Sequence, residues 1–173
     1  EFDNIGFGFV EVGTITPKAQ YGNRKPRIKR LVSHESLLNS LGFPNEGVAT
    51  IKPRLKKVRD DICLGVNIGP NKDTVPEEIK NDYLICYREI FEYADFVTIN
   101  ISSPNTPNLR SLHNIDNFKS VIEVILNERK QHQIQPKIFI KISPDEESNI
   151  YKGLIETIND SAIDGIVISN TSN

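Results

Sequence analysis

The chain has 173 residues, 38% of them hydrophobic, and a formal charge of −2. That length and apolar share are enough to bury one core, and the near-neutral balance excludes the broad basic face that grips nucleic acid. No stretch approaches the ~18 consecutive apolar residues of a membrane-spanning helix and no secretory signal is present; a chain that starts at Glu1 and contains no methionine reads as a fragment or a trimmed product.

In chain order, FGFVEVG (7–13) is an apolar run ending at glycine and predicts the first strand. The basic, proline-punctuated segment TPKAQYGNRKPRIKRL (16–31) predicts an inserted hairpin around Gly22-Asn23, followed by a short helix from Glu35 to Leu41 that Gly42 stops. Val48, Ile51, Leu55 and Val58 predict a helix bent at Pro53. LGVNIG (64–69) repeats the shape of the first strand, and Thr74-Val75-Pro76-Glu77 has the form of a capping box before a helix with Ile79, Tyr83, Cys86, Tyr87 and Ile90 on one face. A third strand, FVTINIS (96–102), is followed by a helix capped by Asp116 or Asn117 that carries Phe118, Val121, Ile122 and Ile125. IFIKIS (138–143), a helix after Asp145 with Ile150, Leu154, Ile155 and Ile158, and GIVISN (165–170) complete the pattern.

Five short β-branched strands alternating with amphipathic helices argue an α/β fold with a parallel sheet buried on both faces. No linker or low-complexity segment divides the chain, so residues 1–173 form a single domain. Each strand ends on polar residues: Thr14, Asn67, Asn100, Lys141, and Ser169 with Asn170. In a barrel those ends converge on one mouth, whereas in an open sheet only those beside a switch point share a ligand. Cys63 and Cys86 sit in apolar patterns without metal-ligand spacing and read as reduced core thiols. His34, His113 and His132 read as solvated, and no metal site is expected.

Asparagine is disfavoured within strands, and an unpaired buried amide costs ~1–3 kcal/mol. Three at equivalent strand ends therefore suggest a ligand rich in amide-like donors and acceptors. Lys141, between Ile140 and Ile142, needs an anionic or strongly accepting partner if its ammonium is buried. The loop NISSPNTPNLRSL (100–112) crowds hydroxyls and amides behind a strand, and the absence of a GxSxG elbow argues against acyl transfer.

GFGFVEVGTITPKAQ, LGVNIGPNKDT, INISSPNTPNLRSL, IFIKISP and DGIVISNT together resemble dihydroorotate dehydrogenases, in particular the membrane-linked class 2 form, over nearly the whole chain. The resemblance implies an FMN-binding (β/α)8 TIM barrel, of which about five parallel βα units are present and which is truncated at both ends. Gly13, Thr14, Asn67, Asn100, Lys141 and Ser169 fall on flavin-contacting positions. Asn39, Ser40, Leu41, Gly42 and Phe43, with Asn100, Asn105, Asn170 and Thr171, fall on positions that hold dihydroorotate, and Ser103 falls on the base. Serine at that position, where class 1 relatives have cysteine, points to a quinone as final electron acceptor. Membrane association, bacterial or mitochondrial, is then expected only through segments outside residues 1–173. The alternatives are a class 1 enzyme or another FMN barrel, or an incomplete piece without activity.

Overall fold

The five β-branched runs pair side by side in one parallel sheet. The computed structural model describes residues 5–58, 61–102, 112 and 114–172. β1 (Val10–Ile15), a hairpin of β2 (Ile28–Leu31) and β3 (Ser36–Asn39), α1 (Val48–Leu55), β4 (Leu64–Ile68), α2 (Ile79–Ile90), β5 (Phe96–Asn100), α3 (Ile115–Arg129), β6 (Lys137–Lys141), α4 (Ser148–Asn159) and β7 (Gly165–Val167) follow in chain order. The large sheet runs β1-β4-β5-β6-β7, so every strand joins the edge left by its predecessor through a helical crossover, while the hairpin stands apart as a two-stranded unit.

Side-chain alternation divides the sheet into two surfaces. Val66, Ile68, Val97, Ile99, Ile138 and Ile140 are fully buried or nearly so and face the helices. Against them pack Ile79, Tyr83, Cys86 and Ile90 of α2, Phe118, Val121 and Ile125 of α3, and Leu154 and Ile158 of α4. The opposite surface, concave and without helices among the described residues, carries Glu11, Asn67, Thr98, Asn100, Phe139 and Lys141, which the strand register brings into rows.

Glycine decides how that concave surface fills. Gly65 lies in register with Glu11 on one side and Phe96 on the other. A Cβ at Gly65 would strike the Phe96 ring, which therefore lies across β4 and meets Phe9 edge-on at 5.5 Å and Phe139 at 5.6 Å.

Two aspartates fix the strands at their N-terminal ends. Asp95, just before β5, accepts the Leu64 N–H of β4 at 2.7 Å, and Asp164, just before β7, accepts the Ile138 N–H of β6 at 2.9 Å. Lys137 and Arg129 also donate to the Asp164 carboxylate, each at 2.9 Å. Burial alone would raise the pKa of Asp164, but the Ile138 amide and the two cations outweigh it and hold the carboxyl below its ordinary value.

Several local expectations are corrected. Residues 36–39 form a strand instead of a helix: the seven residues available are too few for a stable isolated helix, while the main chain of 28–31 offers a ladder. The hairpin turns at Val32–Glu35, with Glu35 at φ 47°, whereas Gly22-Asn23 lies on the ascending arm, where the Asn23 N–H donates to Leu41 O at 3.0 Å. Asn114 caps α3, accepting the N–H groups of Asp116 and Asn117. Val75 stands at the cap position of the turn that leads into α2, Thr74 donating to Asp82 at 2.6 Å, and α4 begins after Glu147. Cys86 is buried as expected, but Cys63, ahead of the first inward residue of β4, is exposed. His132 stacks on Phe91 at 4.0 Å between centroids, with Nε2 3.0 Å from Glu128 Oε1, so it belongs to the α2–α3 interface.

Candidate active site

The carboxyl ends of the parallel strands and the segment after β3 enclose a cleft of about 240 Å³. From the strand ends come Gly13, Thr14, Asn100 and Lys141, and beyond β7 come Asn170 and Thr171. Asn39, Leu41, Gly42, Phe43 and Pro44 close it from the hairpin side. Two sets of residues far apart in sequence thus meet in one place. Asn67 lies directly beneath, joined to Thr14 and Asn100. Ser169 and Ser40 are outside the lining; the Ser169 hydroxyl donates to Asn170 O at 3.0 Å and the Ser40 N–H donates to Arg27 O at 2.9 Å. Ser103 and Asn105 lie outside the described residues.

The strand-end amides are linked to one another. Thr14 Oγ1 donates to Asn67 Oδ1 at 2.7 Å, and Asn100 Nδ2 donates to Asn67 Oδ1 and Thr14 Oγ1, each at 3.2 Å. Asn100 Oδ1 accepts the N–H of Ser102 at 3.1 Å and its hydroxyl at 2.8 Å, and Asn170 Nδ2 donates to Ser102 O at 2.9 Å. Below, the Tyr83 hydroxyl donates to Asn100 O at 2.7 Å, and burial pushes its pKa well above that of a free phenol, so it stays a donor. These bonds meet the cost of placing amides on a strand without any ligand. Lys141 is different: it lines the cleft, and its ammonium has no ion-pair or hydrogen-bond partner among the described residues.

A second network shapes the cleft wall. Gln20 Nε2 donates to Gly42 O and Phe43 O, both at 3.1 Å, and Asn45 Nδ2 donates to Phe43 O at 2.9 Å and Thr16 Oγ1 at 2.8 Å. Asn71 donates to Gln20 Oε1 at 2.9 Å and accepts the Lys18 N–H at 2.9 Å, tying the loop after β4 to the same wall. With Gly42 at φ 68° and Phe43 at φ 51°, the segment turns so that Phe43 faces the cleft. Gln20, Asn45 and Asn71 carry no reactive pattern and gave no sequence signal. Glu11 did: a carboxylate inside FVEVG is as anomalous as Lys141 inside FIKIS, and the same reasoning applied to it leads to the concave surface.

A parallel sheet with helices on one side, a concave polar surface on the other and its cleft at the strand carboxyl ends is a partial (β/α)8 barrel, the class whose sites lie at that end. All of residues 1–173 match the family model for dihydroorotate dehydrogenase, and the chain belongs to that family. It is 42% identical over 175 residues to the dihydroorotate dehydrogenase (quinone) of Pseudoalteromonas atlantica, covering 99% of this chain and 52% of that protein. To the protein of the same name from Cronobacter sakazakii it is 44% identical over 173 residues, covering 97% and 51%. The crystal structure of the Eimeria tenella enzyme in complex with ferulenol superposes with a TM-score of 0.90 at 35% identity, over 99% of this chain and 52% of that one. The chain spans about half the length of the relatives it matches.

Proposed function

We propose that the complete protein oxidises dihydroorotate to orotate in pyrimidine biosynthesis, with FMN in the cleft at the strand ends and a quinone as final electron acceptor. The observation that carries this reading is Lys141, a cation without a partner among the described residues, which lines the cleft with Thr14 and Asn100 in a chain of this family. The cleft suits a flavin: the Lys141 ammonium matches the carbonyl and ring-nitrogen acceptors of an isoalloxazine, and Gly13, without a Cβ, lets β1 close on the Asn67 carbonyl beneath. When bound, FMN supplies a two-electron acceptor. Thr14 and Asn100, with Asn67 beneath them, would orient it, and Lys141 would offset the negative charge that gathers on reduction.

On the substrate side, Asn39, Leu41, Gly42, Phe43, Asn105, Asn170 and Thr171, with Asn100, would hold the dihydroorotate ring. Ser103 removes the proton from C5. A free serine hydroxyl is a weak base near neutrality, so its site must assist it through hydrogen bonding or a water path. The quinone assignment rests on serine at 103 and on the names of the relatives. No helix among the described residues is long and apolar enough to cross a bilayer.

The test uses the complete protein. Lys141→Ala is expected to lower FMN content and slow anaerobic flavin reduction by dihydroorotate; wild-type values in both would refute the reading of the cleft. Ser103→Ala is expected to slow the same reduction by about 10²–10⁴-fold with FMN retained. Ser103→Cys with undiminished quinone turnover would count against the class 2 assignment.

A further inference from the structure

Among the described residues Glu11 makes no hydrogen bond to a residue lining the cleft, yet it sits at the origin of the strand-end network. From β1 its side chain spans β4, where Gly65 offers no side chain to block it, and Oε2 accepts the Thr98 hydroxyl of β5 at 2.6 Å. Its Oε1 accepts Asn67 Nδ2 at 3.0 Å. An ionised carboxylate only accepts, so the amide end of Asn67 that faces it must be the nitrogen. Asn67 Oδ1 is thereby turned toward Thr14 and Asn100, both of which donate to it. Asn100 in turn points its nitrogen inward and its oxygen at Ser102, the residue before the proposed base.

We infer that Glu11 is a positioning residue that sets the hydrogen-bonding direction of the whole amide relay, from Asn67 through Asn100 to Ser102. An Asn amide is nearly symmetric in shape, so packing alone barely distinguishes its two orientations, whereas a carboxylate distinguishes them by charge. The relay determines which donors and acceptors the strand ends present to a ligand, and this part of the inference rests on the flavin reading above.

The relay is tested by a double-mutant cycle in the complete protein, read by thermal midpoint. Asn67→Asp sets two acceptors face to face and lowers the midpoint at neutral pH. Adding Glu11→Gln, whose amide can donate to the introduced carboxylate, is expected to recover most of that loss; additive losses would overturn the inference. If Asn67→Asp fails to fold, Asn67→Ala closes an equivalent cycle: Glu11→Ala must cost less in that background than alone, and an equal cost overturns the proposal. For the ligand, Glu11→Ala is expected to weaken FMN binding about tenfold, with Glu11→Gln weakening it less. Wild-type FMN affinity in Glu11→Ala would refute a role at the site. A coupled cycle in a protein that takes up no flavin would uphold the relay and overturn the proposed function instead.

Discussion

Replacing Gly65 by alanine drives a methyl group into the Phe96 ring and across the path of the Glu11 side chain. The ring is held edge-on by Phe9 and Phe139 and has little room to retreat, so Gly65→Ala is expected to cost about 1–3 kcal/mol in urea unfolding. The two thiols give a contrasting outcome. Cys86 is buried, and burial pushes its pKa well above that of a free thiol, so it has almost no thiolate to react; Cys63 is exposed. Ellman's reagent should therefore modify one cysteine in the native protein and the second only on unfolding. Two fast thiols would contradict the packing of α2. Sequence placed both cysteines in the core because each has apolar neighbours, and only the start of the β4 ladder separates them. Lys141 was legible because an ammonium in an apolar run has few explanations, and Glu11 carried the same mark.

At the level of elements, the helix interfaces and strand starts depend on carboxylates held ionised. Arg88 donates to Glu128 at 2.7 Å, and with His132 this outweighs burial and keeps Glu128 below its ordinary pKa, as Asp164 is kept below its own. A carboxyl depressed in the folded state contributes stability that is full above its unfolded pKa and is lost as pH falls through its folded value. The urea midpoint should thus stay level toward neutrality and fall below about pH 4, and Asp164→Asn should both lower the plateau and flatten the acid limb. An unchanged acid limb in that variant would show that Asp164 does not carry the effect. All five strands and the four long helical patterns were legible from periodicity. The hairpin was misread because Ser36-Leu37-Leu38-Asn39 is short and its leucines are exposed, so no buried stripe distinguished strand from helix.

On the scale of the molecule, β1 and β7 have open edges, and Ile5, Phe7 and Phe9 before one and Ile168 after the other are exposed. Unpaired edges flanked by apolar side chains invite association, so the isolated 173-residue chain is expected to elute in multi-angle light scattering above its 19.6 kDa mass at micromolar concentration and to retain little FMN. A monodisperse, yellow monomer would overturn that expectation. The convergence of Asn39–Phe43 with the strand ends was not legible from local pattern, because it depends on Gln20, Asn45 and Asn71 joining three loops. Asp164 has a further effect through the lengths of the strands. It grips β6 at Ile138, and Lys141 stands three residues further along, about 10 Å away at the rise of an extended strand. A strand is stiff along its axis, so it acts as a gauge rod: the carboxylate at its foot sets how far the ammonium at its head projects into the cleft. Damage at the closed end of the sheet should therefore be felt as misalignment at the open end, with the cleft's own residues all intact.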